Sequence, residues 1–206
     1  MDIALNMGIK QISIASDELS IPEFIDNPPD RCYYCKRSLF SKLIDIMKKE
    51  GLHYVADGSN LDDGKDFRPG SRASEELGIR SPLREAGLTK DDIRSLSKSL
   101  GLPTWDKPSM ACLASRFPYW QKITPQALEM VSKAEEYLHS LGLKQLRVRH
   151  HDSLARIEVP LEDTRKICDE ELSRKIVDRL KDIGYIYVTL DLQGYRSGSM
   201  NEPLGK

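Results

Sequence analysis

His53-Tyr54-Val55-Ala56-Asp57-Gly58-Ser59-Asn60 is a short β-compatible run that halts on a turn, and the segments around it decide the class of fold. Upstream, Leu39, Leu43, Ile46 and Met47 share one helical face and Gly51 supplies a stop, which predicts a helix over 36–49. Ile12 and Ile14 alternate with Ser13 and predict a strand over 11–15. Pro22, Pro28 and Pro29 mark 21–31 as a loop. Downstream, a polar loop over 61–70 leads to a helix near 71–77. Thr89, with Asp92 three residues on, forms a capping box for another helix that ends at Gly101. Strands alternating with helices predict an α/β fold with a parallel sheet covered on both faces. Ligands of such sheets bind beyond the carboxyl ends of the strands, which makes Asp57, Gly58, Ser59 and Asn60 candidate binding residues. The same tetrapeptide also suits an ordinary turn.

Beyond Pro103, Pro108 and Pro118 the pattern changes. Thr124 as N-cap and Pro125 at the first helical position open a helix with Leu128, Val131, Ala134 and Leu138 as its stripe, closed by Gly142. Strands are expected over 146–150 and 155–159, a helix over 162–182, a last strand over 185–192, and a polar tail from Gly194 onward. The chain thus reads as an α/β domain over 1–120 and a smaller α+β domain over 121–206. Ile3, Ala4, Leu5 and Met7, closed by Gly8, resemble the end of a helix, so the chain is expected to be the remainder of a longer one.

The 206 residues carry a net charge of −1 and are 39% hydrophobic, which excludes disordered, collagen-like and coiled-coil classes. No run approaches the ~20 apolar residues of a membrane span, and Met1 to Lys10 hold no cleavable signal. The charge balance argues against a large nucleic-acid footprint. Four cysteines are too few for a disulfide scaffold, and the expectation is a cytoplasmic protein whose cysteines serve metal or redox chemistry.

Cys32-Tyr33-Tyr34-Cys35 places two thiols where both could reach one metal or form a redox disulfide. Cys112, among small residues with Arg116 four positions on, suits an activated thiolate or a buried apolar cysteine. Cys168 is expected to pack within its helix. Arg147, Arg149 and His151 share a strand face by the period of two, and two guanidinium forks suit phosphate or carboxylate; a solvated sheet face is the alternative. Arg156 and Glu158 share a face on the next strand and can pair across the sheet. The chain has no GxGxxG, no GxxxxGK[ST] and no HExxH, which leaves those nucleotide and zinc classes without support.

Asn27-Pro-Pro-Asp-Arg-Cys-Tyr-Tyr-Cys-Lys36, Asp57-Gly-Ser-Asn60, Arg68-Pro-Gly70, Arg80-Ser-Pro-Leu83, Glu85-Ala-Gly-Leu-Thr89 and Trp105-Asp-Lys-Pro108 occur in that order. Ala111-Cys-Leu-Ala-Ser-Arg116, Leu146-Arg-Val-Arg-His-His151, Ala155-Arg-Ile-Glu-Val159 and Gly194-Tyr-Arg-Ser-Gly198 follow. Together they resemble the LarE family, the ATP-dependent sacrificial sulfur transferases among the PP-loop ATP pyrophosphatases, with an adenine nucleotide alpha-hydrolase-like domain. The resemblance implies adenylation of a carboxylate of a pyridinium dicarboxylate mononucleotide, with pyrophosphate released. Sulfur then replaces the activated oxygen, in the making of a nickel-pincer nucleotide. It implies ATP with Mg2+, homo-oligomers, and partner enzymes of the same cofactor pathway.

Family members draw sulfur either from a sacrificed cysteine or from a 4Fe–4S cluster held by three cysteines. The cluster form, with Cys32, Cys35 and Cys112 as ligands, is expected here, since three thiolates leave one iron open. Sacrifice of Cys112 is the second choice, and zinc held by the three cysteines plus His53, His150 or His151 the third. By the same resemblance Asp57 to Asn60 line the nucleotide pocket. Ser115, Arg116, Arg147 and Arg149 hold phosphates or the substrate carboxylate, and Glu158 orients one of them.

The chain departs from the family in two places. The first strand and the Ser-Gly-Gly-x-Asp-Ser loop have no counterpart, so ATP cleavage by this chain alone is not expected; and Trp120 stands where the family usually has Gly. The competing readings are a PP-loop enzyme of tRNA thiolation and a non-catalytic remnant that binds a nucleotide or a partner.

Overall fold

The computed structural model describes residues 3–15, 17–65, 69–107, 111–196 and 198–205. They form a mixed α/β fold with a small sheet. The helices of the first half are α1 (Ile3–Asn6), α2 (Pro22–Ile25), α3 (Arg31–Lys49), α4 (Gly70–Glu76), α5 (Pro82–Glu85) and α6 (Lys90–Ser99). The second half runs α7 (Pro125–Ser140), β1 (Arg147–His151), β2 (Leu154–Glu158), α8 (Leu161–Ile167), α9 (Glu170–Ile183) and β3 (Tyr187–Leu190). No helix among these residues is long and apolar enough to cross a membrane.

The caps form as the local chemistry dictates. The Thr89 hydroxyl accepts from the Asp92 N–H and the Asp92 carboxylate accepts from the Thr89 N–H, opening α6. Thr124 accepts from the Ala127 N–H ahead of Pro125, opening α7. Helix α3 begins at Arg31, five residues before the expected start. The shift puts Cys32 and Cys35 on the first turns of a helix rather than in a loop. Pro22 sits at the first position of the short helix α2, where its missing N–H is no loss, so 21–31 is not wholly irregular.

The parallel sheet expected in the first half is reduced to a single parallel bridge, Ala56 to Arg80. The Asp57 N–H donates to the Arg80 carbonyl and the Arg80 N–H to the Val55 carbonyl, both at 2.9 Å. Residues 11–15 form no strand; Ile12 and Ile14 stay exposed, and alternation without a neighbouring ladder does not make a sheet. The sheet that does form has the order β1-β2-β3, with β1 and β2 antiparallel and β2 and β3 parallel. The parallel pair is joined by the α8–α9 crossover, a connection a hairpin cannot replace. The helix expected over 162–182 is broken between α8 and α9, where Asp169 caps α9 by accepting from the Leu172 N–H. Cys168 falls at this break and is exposed rather than packed.

Three apolar clusters hold these elements. Leu138 of α7, Val148 of β1, Ile157 of β2, and Ile176 and Leu180 of α9 fill the largest. Phe24 of α2 joins Ala114, Phe117 and Ile123 against Ala127 and Val131 of α7. That second cluster clamps the segment after Cys112 onto α7 and α2, and it spans both sides of position 120. Tyr33 and Phe40 of α3 pack on Ala73 of α4 and on Ile79. Where α4 meets α3, a Cβ on Gly70 would lie 2.8 Å from Lys36 Cδ and 3.3 Å from the Cys32 carbonyl oxygen, so a larger residue would have to displace the Lys36 side chain.

A cationic cavity beside three thiols

A cavity of about 490 Å3 opens between the start of α3, the segment 111–119, β1 and the C-terminal segment. Among the described residues that line it, Arg31, Lys36, Arg147, Arg149 and Arg196 are cationic and none is a carboxylate. Cys32 and Ser115 also line it, as do the aromatic rings of Tyr119 and Tyr195. A wall of this composition attracts an anion.

Each arginine is held differently. Arg149 on β1 is 5% exposed. It donates to the Glu158 carboxylate at 2.7 Å, to the Ser199 hydroxyl at 2.8 Å and to the Ser115 carbonyl at 3.0 Å. Glu158 is fully buried, and also accepts from Arg156 at 3.2 Å and from Ser199 at 3.2 Å. The strand register sets Glu158 opposite Arg147, yet its carboxylate goes to the diagonal Arg149. Arg147 instead donates to the Leu146 carbonyl and lies 5.3 Å from the centroid of the Tyr195 ring. Burial and the neighbouring Arg116 charge press the Arg147 pKa below its usual value, with Tyr195 and Glu135 opposing.

Arg116 departs from its expected place. It is buried, and its Nε and Nη2 each donate to a Glu135 carboxylate oxygen at 2.8 Å. Its Nη1 serves the Ala111 and Cys112 carbonyls and the Ser115 hydroxyl. With its donors taken inside the protein, Arg116 shapes the loop that carries Cys112 and Ser115 and leaves little for a ligand. Neither Arg116 nor Glu135 is among the residues lining the cavity.

Asp57 to Asn60 follow the Ala56 bridge as irregular backbone. The Asp57 carboxylate accepts from the Ser59 N–H at 3.1 Å and from the hydroxyls of Ser81 and Ser59 at 2.8 and 2.9 Å. Burial raises its pKa, but these donors and Lys36, 3.9 Å away, outweigh burial and leave it lowered. The Asn60 N–H donates to Asp63, and Asn60 Oδ1 accepts from the Asp62 N–H. The tetrapeptide is not among the residues that line the 490 Å3 cavity; Lys36 lines it and stands 3.9 Å from Asp57.

The three expected cysteines lie within electrostatic reach of one another. Burial pushes the Cys32 thiol up, countered by the Arg31 charge and raised again by Cys112. Cys35 is pushed up to about 12 by burial, by Glu18 beside its Sγ, and by Cys112 and Cys32. Cys112 is exposed. Even so, among the described residues no three His, Cys, Asp or Glu side chains stand close enough to hold a metal ion. His150 is packed into the core between Phe117 and Tyr185, with Nδ1 3.1 Å from the tyrosine oxygen, so it is not a zinc ligand beside the cysteines.

Several cavity residues are missing from the sequence-based expectations. Arg31 and Lys36 flank the two cysteines in the quoted motif, and Arg196 lies in Gly194–Gly198, so adjacency was the available signal. Ser199, Met200 and Asn201 carried none. They reach the cavity because the segment Ser199–Leu204 forms a 3-10 turn pinned by Ser199 to Glu158 and by Asn201 to the Tyr119 hydroxyl at 2.7 Å.

No family model matches the chain. Its sequence is similar to an uncharacterized protein of Synechocystis sp., 44% identical over 97% of this chain and 75% of that protein. The pyridinium-3,5-bisthiocarboxylic acid mononucleotide synthase of Lactiplantibacillus plantarum is 41% identical over 100% of this chain and 74% of its own length. An uncharacterized protein of Methanocaldococcus jannaschii is 34% identical over 93% of this chain and 74% of its length.

Proposed function

This chain belongs to the LarE family, that of the pyridinium-3,5-bisthiocarboxylic acid mononucleotide synthases, and on that premise we propose that it transfers sulfur to a carboxylate of a pyridinium dicarboxylate mononucleotide. The observation that carries the reading is the cavity with five cationic side chains, no carboxylate and a cysteine in its wall. A mononucleotide with two ring carboxylates presents anionic groups at both ends, and its size suits a cavity of this class.

The chemistry proceeds in two displacements. A carboxylate oxygen of the substrate attacks the α-phosphorus of Mg2+-bound ATP, pyrophosphate leaves, and an acyl adenylate results. A sulfur nucleophile then attacks the acyl carbon, AMP leaves, and the oxygen has been exchanged for sulfur. Activation is needed because a free carboxylate is a poor electrophile, and electrostatic stabilisation of the developing charge is the protein's main contribution. In this reading Arg147, Arg149 and the Ser115 hydroxyl hold the substrate phosphate, Glu158 and Ser199 fix the Arg149 fork, and Asp57 to Asn60 line an ATP pocket of PP-loop type.

The donor set of Cys32, Cys35 and Cys112 fits a cluster in number and kind, with the exposed Cys112 segment having to approach α3. When held by these three thiolates, a 4Fe–4S cluster would supply the transferred sulfide at its open iron. The exposure of Cys112 and the present spacing of the thiols favour a second reading, in which the Cys112 thiolate displaces AMP to form a thioester, and removal of its Cα proton to a base with cleavage of its Cβ–S bond releases the thiocarboxylate and leaves dehydroalanine.

Iron and acid-labile sulfide should be measured on the chain purified without oxygen, and the chain's mass after incubation with the preformed acyl adenylate of the mononucleotide, which bypasses the ATP cleavage not expected of this chain alone. Equal iron and sulfide, lost on C32S, C35S or C112S, with a thiocarboxylate product, is the expected result. A mass loss at Cys112 without iron moves the sulfur source to that residue. No thiocarboxylate in either case overturns the function.

A further inference from the structure

Two guanidinium groups in the cavity differ from the rest in their hydrogen bonding. Arg31 is 6% exposed and Arg149 5% exposed, and in both the buried Nε–H meets no acceptor among the described residues. Native interiors seldom leave a charged donor unmatched, and a ligand is a standard explanation. Arg149 has Glu158 to neutralise it. Arg31 spends Nη1 on the neutral side-chain oxygen of Asn27 and hydrogen-bonds the neighbouring Cys32 thiol, and no carboxylate pairs with it among the described residues. Of the two buried cations it is thus the one with no carboxylate partner among the described residues.

Its surroundings say which anion. Arg31 stands on α3 directly before Cys32, with its guanidinium carbon 5.7 Å from the centroid of the Tyr119 ring. That ring lines the cavity and is fixed by the bond from its hydroxyl to Asn201. A ring carboxylate would meet the planar Arg31 fork, while Tyr119, one face of which Arg31 already covers, borders the space left for the heterocycle. Arg147 and Arg149 line the cavity from a different element, β1.

Building on the function proposed above, we propose that Arg31 receives a ring carboxylate of the pyridinium substrate and sets it beside the thiols, while the β1 arginines take the phosphate. Arg31 is then the residue that distinguishes a ring carboxylate from its uncharged counterpart.

Two probes differ in that group alone: nicotinic acid mononucleotide carries a ring carboxylate, and nicotinamide mononucleotide an amide. Calorimetric titration of the wild-type chain should show the acid bound roughly tenfold or more tightly than the amide. In R31Q the acid should fall to the level of the amide, whose own affinity stays within about twofold and so reports an intact cavity. R31K, which keeps the charge without the fork, should retain part of the preference, and it carries the test if R31Q is poorly folded. A preference that survives both substitutions overturns the assignment, and so does an equal loss for both probes, which would make Arg31 a phosphate ligand. Failure of the wild-type chain to bind either mononucleotide would instead overturn the parent reading of the cavity.

Discussion

Arg116 and Glu135 meet fork to fork, with both N···O contacts at 2.8 Å and both side chains buried. Glu135 also accepts from the Val148 N–H at 2.9 Å, so one carboxylate ties the Cys112 loop, α7 and β1 together. Removing one member strands the other's charge in the interior. Glu135→Ala should therefore cost roughly 3–5 kcal/mol of stability, with Glu135→Gln costing less because it keeps one acceptor oxygen for the Arg116 Nε–H and the Val148 N–H. Urea denaturation of the two variants measures this; a loss below about 1 kcal/mol for the alanine would show that the pair does not hold the loop.

The two β1 arginines should separate folding from binding. Arg149→Ala leaves the fully buried Glu158 without its closest partner and should lower stability by roughly 3–5 kcal/mol. Arg147→Ala removes a half-buried group bound to a backbone carbonyl, and should cost about 1 kcal/mol while weakening mononucleotide binding roughly tenfold. Titration and thermal denaturation run side by side on both variants check the contrast. Unchanged affinity in Arg147→Ala counts against its place in the cavity chemistry.

Burial lowers the pKa values of His150 and His151 below the ordinary 6.5. A group depressed in the folded state binds fewer protons there than in the unfolded chain. Stability from these two is therefore complete above pH 6.5 and declines as pH falls from there through their folded values. The slope can reach about 1.4 kcal/mol per pH unit for each histidine. Unfolding free energies at pH 7.5, 6 and 5 should show the decline, and His150→Gln with His151→Gln should flatten it. A slope that is unchanged in the double variant would assign acid sensitivity elsewhere.

The thiols should react in an order set by access and protonation. Cys112 and Cys168 are exposed, whereas Cys32 and Cys35 are partly buried with raised pKa values. In the metal-free reduced chain at pH 7.5, iodoacetamide should modify Cys112 and Cys168 first, and Cys35 more slowly still, since the thiolate is the reacting form. Peptide mapping over a time course reads the order. Labelling of Cys35 ahead of Cys168 would contradict the burial described for α3.

Trp120 holds φ at +69° while the residue is 69% exposed, and its backbone N–H donates to the Asn27 carbonyl at 2.9 Å. The left-handed backbone explains why glycine suits this position. Relief of about 1–2 kcal/mol of strain, partly offset by glycine's greater freedom when unfolded, should make Trp120→Gly more stable by roughly 0.5–1 kcal/mol. A thermal melt decides it, and a drop in stability would mean that the indole packs better than its exposure indicates.

Elements set by neighbours a few residues apart were legible in the sequence: the caps of α6 and α7, and the alternation that put Arg147 with Arg149 on a face of one strand and Arg156 with Glu158 on a face of the next. Such signals are complete within a turn or a strand, so no other part of the chain is needed to read them. The CxxC pair, Cys112 and the arginines were equally visible as chemistry. What the tertiary structure alone decided is which charge meets which. Arg116 is consumed by Glu135, nineteen positions away, and Glu158 passes over the residue opposite it for Arg149. The polar tail closes the cavity because Ser199 finds a buried ion pair to join. Residues 11–15, with a strand's alternation, form none, since a strand exists only where another chain segment offers its ladder. Composition and period specify what a segment can do; burial and the distances between distant segments select what it does.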